Sequence, residues 1–124
     1  MKIKVIIERT KTGYSAYAEK YAVFTTGNSL EELKKHILEA LNLYFEKSGK
    51  NISEKDIKIT LDLPQFFAFY KVINAKALSE QIGMHQSLLA QYIKGIKTPS
   101  AKQTNRILMG IHRIGRELAE IAFL

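Results

Sequence analysis

A chain of 124 residues, 46% hydrophobic and 25% charged, suits one ordinary domain, or two very small ones that lean on each other or on a partner. The absence of cysteine excludes a disulfide framework and any thiolate metal site. No run of about 18 apolar residues is present, and Met1-Lys2-Ile3-Lys4 does not open a secretion signal, so a cytoplasmic location without membrane contact is expected. The formal charge of +7 is unevenly spread, with 11 basic and 9 acidic residues in positions 1–63 against 8 and 3 in 64–124. The second half is therefore the one suited to a polyanion, although a basic surplus by itself assists nucleic-acid binding without making it specific.

The first half reads as strand, strand, strand, helix, strand. Ile3, Val5 and Ile7 alternate with Lys4 and Glu8, Thr10-Lys11-Thr12-Gly13 supplies a turn, and Tyr14, Ala16 and Ala18 alternate again, which predicts an N-terminal hairpin. A third short strand through Tyr21, Val23 and Thr25 ends at Gly27-Asn28. Ser29 and Glu32 then have the spacing of a capping box, opening a helix that buries Leu30, Leu33, Ile37, Leu41 and Tyr44 on one face and ends near Gly49. Ile57, Ile59 and Leu61, with Lys58 and Thr60 turned the other way, predict a fourth strand. Asp62-Leu63-Pro64 closes this half, because proline suits the first turn of a helix and not a strand interior.

The second half reads as all helix. Pro64 to Ile73 forms a short first helix whose rings Phe66, Phe67, Phe69 and Tyr70 fill a small core in preference to stacking on bases. Asn74 caps a second helix to Ile82, a third runs from about His85 to Ile93, and Gly95 follows it in a left-handed position. Ser100 and Gln103 repeat the capping-box spacing ahead of a long helix through Ile107, Ile111, Ile114, Leu118 and Ile121. Gly110 and Gly115 mark a bend in it or a close packing contact. The apolar end Ile121-Ala122-Phe123-Leu124 predicts a buried edge, for which a two-fold dimer contact is the simplest solution.

The segment Leu78 to Gly95 is the most specific part of the chain. Leu78, Ile82, Met84, Leu89 and Ile93 fall where two short crossing helices touch, and Gly83 makes the turn between them. Gln86, Ser87 and Gln91 are left outward, with donor and acceptor pairs suited to base edges in a major groove. The plainer reading is that Gln86 and Ser87 only cap and solubilise the third helix.

Residues 65–121 resemble the repressor-type helix-turn-helix family, the XRE or Cro/C1 family, through Leu78, Ile82, Gly83, Leu89, Ile93, Gly95 and Pro99 and the capped helix that follows. Ser79 stands where that family usually places alanine. The resemblance implies that the recognition helix begins near His85, so that His85, Gln86, Ser87 and Gln91 meet base edges. Gln86 leads this set, since its amide can bond adenine at two points. Asn74, Lys94 and Lys97 would hold phosphates on either side.

The first half resembles the HicB antitoxin family. The resemblance rests on the hairpin Lys2 to Glu19 with Gly13-Tyr14-Ser15-Ala16, and on Thr26-Gly27-Asn28-Ser29-Leu30-Glu31-Glu32-Leu33 entering the helix. The proline- and glycine-rich segment usual between strands two and three is cut down to Glu19-Lys20-Tyr21-Ala22. The resemblance implies an α+β protein, with a small ββ(β)αβ partial RNase H-like domain at 1–62 followed by an all-α helix-turn-helix domain at 63–124. It further implies an antitoxin that binds a HicA-like ribonuclease toxin and represses its own operon on double-stranded operator DNA, as a homodimer or higher homo-oligomer.

Two other readings compete. In one, the chain is a stand-alone repressor whose first half senses a ligand or only dimerises. In the other it is a residual nuclease, which needs several carboxylates converging on two metal ions. Glu8 is the only acid on the first strand, and Glu31, Glu32, Glu39 and Glu46 have the spacings of a solvated helix face. His36, His85 and His112 are scattered, without the spacing of a metal site. No catalytic residue, metal or cofactor is therefore expected.

Overall fold

The computed structural model of the protein describes residues 2–121. Ala122, Phe123 and Leu124, most of the apolar tail expected to form a dimer contact, lie outside the described residues. The architecture is α+β, a four-stranded mixed sheet followed by helices. In chain order the elements are β1 (Ile3–Arg9), β2 (Tyr14–Ala18), β3 (Phe24–Gly27), α1 (Leu30–Tyr44), β4 (Ile57–Leu61), α2 (Leu63–Phe69), α3 (Ala75–Ile82), α4 (Gln86–Ile93) and α5 (Ala101–Ala119), with 3₁₀ turns at Glu46–Ser48 and Glu54–Asp56. The chain divides into two compact units, Met1–Phe69 and Tyr70–Leu124. Among the described residues no helix is long and apolar enough to cross a membrane.

In the first unit the sheet order is β3-β2-β1-β4. β1 pairs antiparallel with β2 and parallel with β4, and the parallel pairing is possible because α1 carries the chain back across one face. That face holds the core, with Ile3, Val5, Ile7, Ala16 and Ala18 packed under Leu33, Ile37 and Leu41. Burial of each of the three helix side chains contributes about 1.5–3 kcal/mol relative to exposure. Leu30 and Tyr44, expected on the same face, are 46% and 47% exposed, as the first and last residues of α1. Phe45, just past the helix, is buried instead and meets Tyr21 and Tyr44 edge-on.

Only half of each expected capping box forms. Ser29 accepts from Glu32 N and Ser100 from Gln103 N, but the Glu32 carboxylate lies 4.0 Å from His36 Nε2 and the Gln103 amide bonds Arg106. The complete box lies at Ser53 and Asp56, where it starts the turn into β4. Asn42 holds that connection to α1, bonding both the N–H and the C=O of Ile52.

The first unit ends after Phe69, not after residue 62 as expected, because α2 completes the sheet. Asp62 N donates to Ile7 O, extending the β1–β4 ladder. The Gln65 side-chain amide then accepts from Arg9 N at 2.9 Å and donates to Arg9 O, taking the place a further strand residue would have. Asp62 caps α2 by accepting from Gln65 N. The helix stops at Phe69, short of the expected Ile73. Phe67 is buried, while the Phe69 ring lies beneath the Arg9 guanidinium.

In the second unit α3 packs against α4 and α5 around Leu78, Met84, Leu89, Tyr92 and Ile107. Gly110 is where α5 comes closest to α3, since a Cβ there would stand 2.5 Å from Ile82 Cγ2 and 3.2 Å from Leu78 Cδ1. Gly115 has open space around it, so of the two only Gly110 is a packing glycine. Gly110→Ala is expected to lower the stability of the helical unit by about 1–3 kcal/mol through overpacking. Gly115→Ala should raise it by about 0.5–1 kcal/mol through helix propensity. Thermal melts followed by circular dichroism check both signs.

Candidate nucleic-acid interface

The turn between α3 and α4 is short and tightly held. Asn74 caps α3, its Oδ1 accepting from Ala77 N at 3.0 Å, and Gly83 ends the helix with φ 67°, a left-handed conformation that glycine adopts without a side-chain clash. Met84 N returns to Ser79 O at 2.9 Å. The last carbonyls of a helix need outside donors, and here Arg106 of α5 supplies them. Its Nη2 donates to Ile82 O at 2.5 Å and Gly83 O at 3.0 Å, while Nη1 is held by Gln103 Oε1 at 3.1 Å. Ser79, in the position where alanine was expected, is buried with its hydroxyl donating to Lys76 O, so it costs the crossing no unpaired polar atom.

This framework presents part of the expected residue set together. His85 is the N-cap of α4, and Gln86 begins the helix proper. His85, Gln86 and Ser87 are exposed in succession at that helix start. Gln91 is half-buried and lies on the same side as Ser87, one turn further along. Lys94 is the C-cap of α4 and Lys97 lies in the loop after it, both exposed. An eight-residue helix is about 12 Å long, so Lys94 stands well away from Gln86 along the axis. Asn74 is exposed, but its amide oxygen is taken by the α3 cap, leaving Nδ2 as its donor. Arg106 was missed by the sequence reading. Its only signal was an arginine next to Ile107, the deepest residue of α5.

The first unit carries a second exposed surface, the sheet face opposite α1. The strand register aligns Thr60, Ile6, Tyr17 and Phe24 across all four strands, with Phe24 68% and Tyr17 37% exposed. Beside this row lies a carboxyl pair. Burial, followed by a hydrogen bond and the charge of Asp62, raises the Glu8 pKa above its ordinary 4.5. Tyr17 is raised by burial, and further by Asp62, Glu8 and Glu19, with Lys4 opposing. Lys4 and Glu19 form an exposed ion pair at 3.2 Å on the same face. Among the described residues no group of three His, Cys, Asp or Glu side chains could hold a metal ion.

These features define the class as a small α+β protein in which a four-stranded mixed sheet precedes an all-α unit of short helices. A UPF0150 protein of Archaeoglobus fulgidus is 40% identical to the chain over 45 residues, which cover 36% of this chain and 68% of that protein. The chain belongs to the UPF0150 family, a HicB-like family. No family model and no solved structure matches it.

Because Glu8 has its pKa raised by folding, it favours the folded state below pH 4.5 and loses that contribution as the pH rises through the raised value. Glu8→Gln keeps a hydrogen-bonding group beside Asp62 and removes the charge. It should raise the urea midpoint of the sheet unit at pH 7, and the difference should close as the pH falls below 4.5.

Proposed function

We propose that the protein is an antitoxin and repressor of the HicAB type. The helical unit reads operator DNA, the sheet unit binds and covers a HicA-like ribonuclease toxin, and both act by binding, with no covalent step. The observation that carries the reading is the exposed run His85, Gln86 and Ser87 at the start of α4, on a turn fixed by Gly83 and Arg106. The unit bearing it holds 8 basic and 3 acidic residues, a surplus suited to phosphates. Gln86, Ser87 and Gln91 read bases with His85, and Asn74, Lys94 and Lys97 hold the backbone.

The HicB-like family supports the toxin-binding part. The sheet face opposite α1 suits it chemically, because the exposed rings of Phe24 and Tyr17 beside acidic groups fit a basic partner with an apolar patch. Homodimerisation is proposed through the end of α5 and the residues after it, where Leu118 on the helix and Ile121 just beyond it are 62% and 53% exposed. Two copies so related would match a palindromic operator.

Gel-shift and salt titrations on the operon's own promoter test the DNA part. Gln86→Ala should cost about 1–3 kcal/mol and relax preference at one base position. Lys94→Ala should weaken binding to all sequences and reduce the salt slope by about one. Unchanged promoter affinity in Gln86→Ala and Gln91→Ala would remove the base-reading assignment. For the toxin part, the full chain should co-purify with a co-expressed HicA-like toxin and Phe24→Asp should release it. Undiminished capture by Phe24→Asp would move docking off this face.

A further inference from the structure

The two edges of the sheet are not alike. At the β3 edge His36 Nδ1 is bonded to Thr26 O at 2.6 Å, so a side chain already occupies one of that strand's carbonyls. β4, at the other edge, is hydrogen-bonded on one side only among the described residues. It has no proline and no bulge, two of the usual devices that keep an edge strand from pairing. Ile59, at its centre, points to the α1 face and is nevertheless 41% exposed. It borders a groove of about 220 Å³ lined by Ile37, Leu38 and Ile57, with Lys34 and Glu54 at the rim.

We infer that β4 is an interface between two copies of this chain, paired antiparallel about a two-fold axis at Ile59 to make one continuous sheet. The sequence Ile57-Lys58-Ile59-Thr60-Leu61 is self-complementary in that register. Ile59 meets Ile59, Ile57 meets Leu61, and Lys58 meets Thr60, so apolar residues oppose one another on the α1 face and no like charges are paired. Centring the axis on Lys58 would set lysine against lysine. Centring it on Thr60 would require Asp62 and Leu63, where Asp62 already caps α2 and the helix begins. Only the Ile59 register uses all five strand residues. The groove rim carries one charge of each sign, so two symmetric copies need not oppose like charges there. This pairing is independent of any DNA or toxin contact.

The protein has no cysteine, so one introduced thiol reports on one position. Ile59→Cys, oxidised with diamide at micromolar protein concentration, should give a reductant-sensitive covalent dimer as its main species on a non-reducing gel. Phe24→Cys and Leu43→Cys, at sites 68% and 73% exposed, should remain monomeric under the same treatment. If Ile59→Cys does not fold, an equimolar mixture of Lys58→Cys and Thr60→Cys chains replaces it, and should cross-link faster than either alone. Cross-linking of Ile59→Cys no faster than at Phe24 or Leu43, or a mixture that behaves like its separate components, overturns the pairing.

Discussion

The parallel pairing of β1 with β4 is the constraint on which the first unit depends. Two parallel neighbours cannot be joined by a tight turn, so the chain must cross the sheet, and α1 makes that crossing over one face. With a single crossing helix, the core is one-sided. Ile3, Val5 and Ile7 are buried under α1, while Lys4, Ile6 and Glu8 look the other way. The aromatic row on the far face and the open β4 edge both follow from this topology. So does the placement of α2, since Gln65 can satisfy the end of β1 only because β4 runs alongside it.

The helical unit solves a different problem, keeping a short turn rigid with very little core. α3 and α4 have eight residues each, too few to be stable helices alone in water. Their geometry is set by α5, which comes close through Gly110 and bonds the end of α3 through Arg106. A guanidinium donating to two successive carbonyls satisfies groups that would otherwise need water. The polar side chains at the start of α4 are thus carried on a frame that they do not help to hold, which leaves them available for a ligand.

Much of this was legible in the sequence because it rests on local periodicity. The succession of strands and helix along the first half, the buried face of α1 at Leu33, Ile37 and Leu41, and the glycine turn at Gly83 all follow from spacings of two, three and four and from one conformational requirement. What was not legible depends on register and on distance along the chain. Leu30 and Tyr44 keep the α1 spacing, but nothing local says that burial stops short of the two ends of the helix. The attachment of α2 to the first unit rests on Gln65 meeting Arg9, 56 positions away, and although Pro64 marks the start of a short helix, nothing local says that this helix packs with the sheet and not with the helices that follow. The pairing of Ile6 with Tyr17 and of Tyr17 with Phe24 emerges only once the antiparallel register is fixed. Arg106 was invisible for the same reason, because its partners lie 23 and 24 positions upstream.

The two candidate surfaces differ in what they ask of the fold. His85, Gln86 and Ser87 are exposed side chains on a helix start, and retaining them costs the folded state little. Glu8 is different, since a carboxyl held beside Asp62 and partly withdrawn from water opposes folding at neutral pH. Local conflicts of this kind concentrate where a surface serves something other than stability. A cationic group from a partner would relieve the conflict directly, favouring the ionised Glu8 and replacing lost hydration with charge-assisted hydrogen bonds. Nucleic acid would aggravate it, because phosphates add negative charge to the same face. The proposed toxin-binding role of this face, with Tyr17 and Phe24 exposed beside the pair, therefore asks for a basic protein and not an RNA strand, even though a four-stranded sheet with exposed rings is also a shape that stacks on bases.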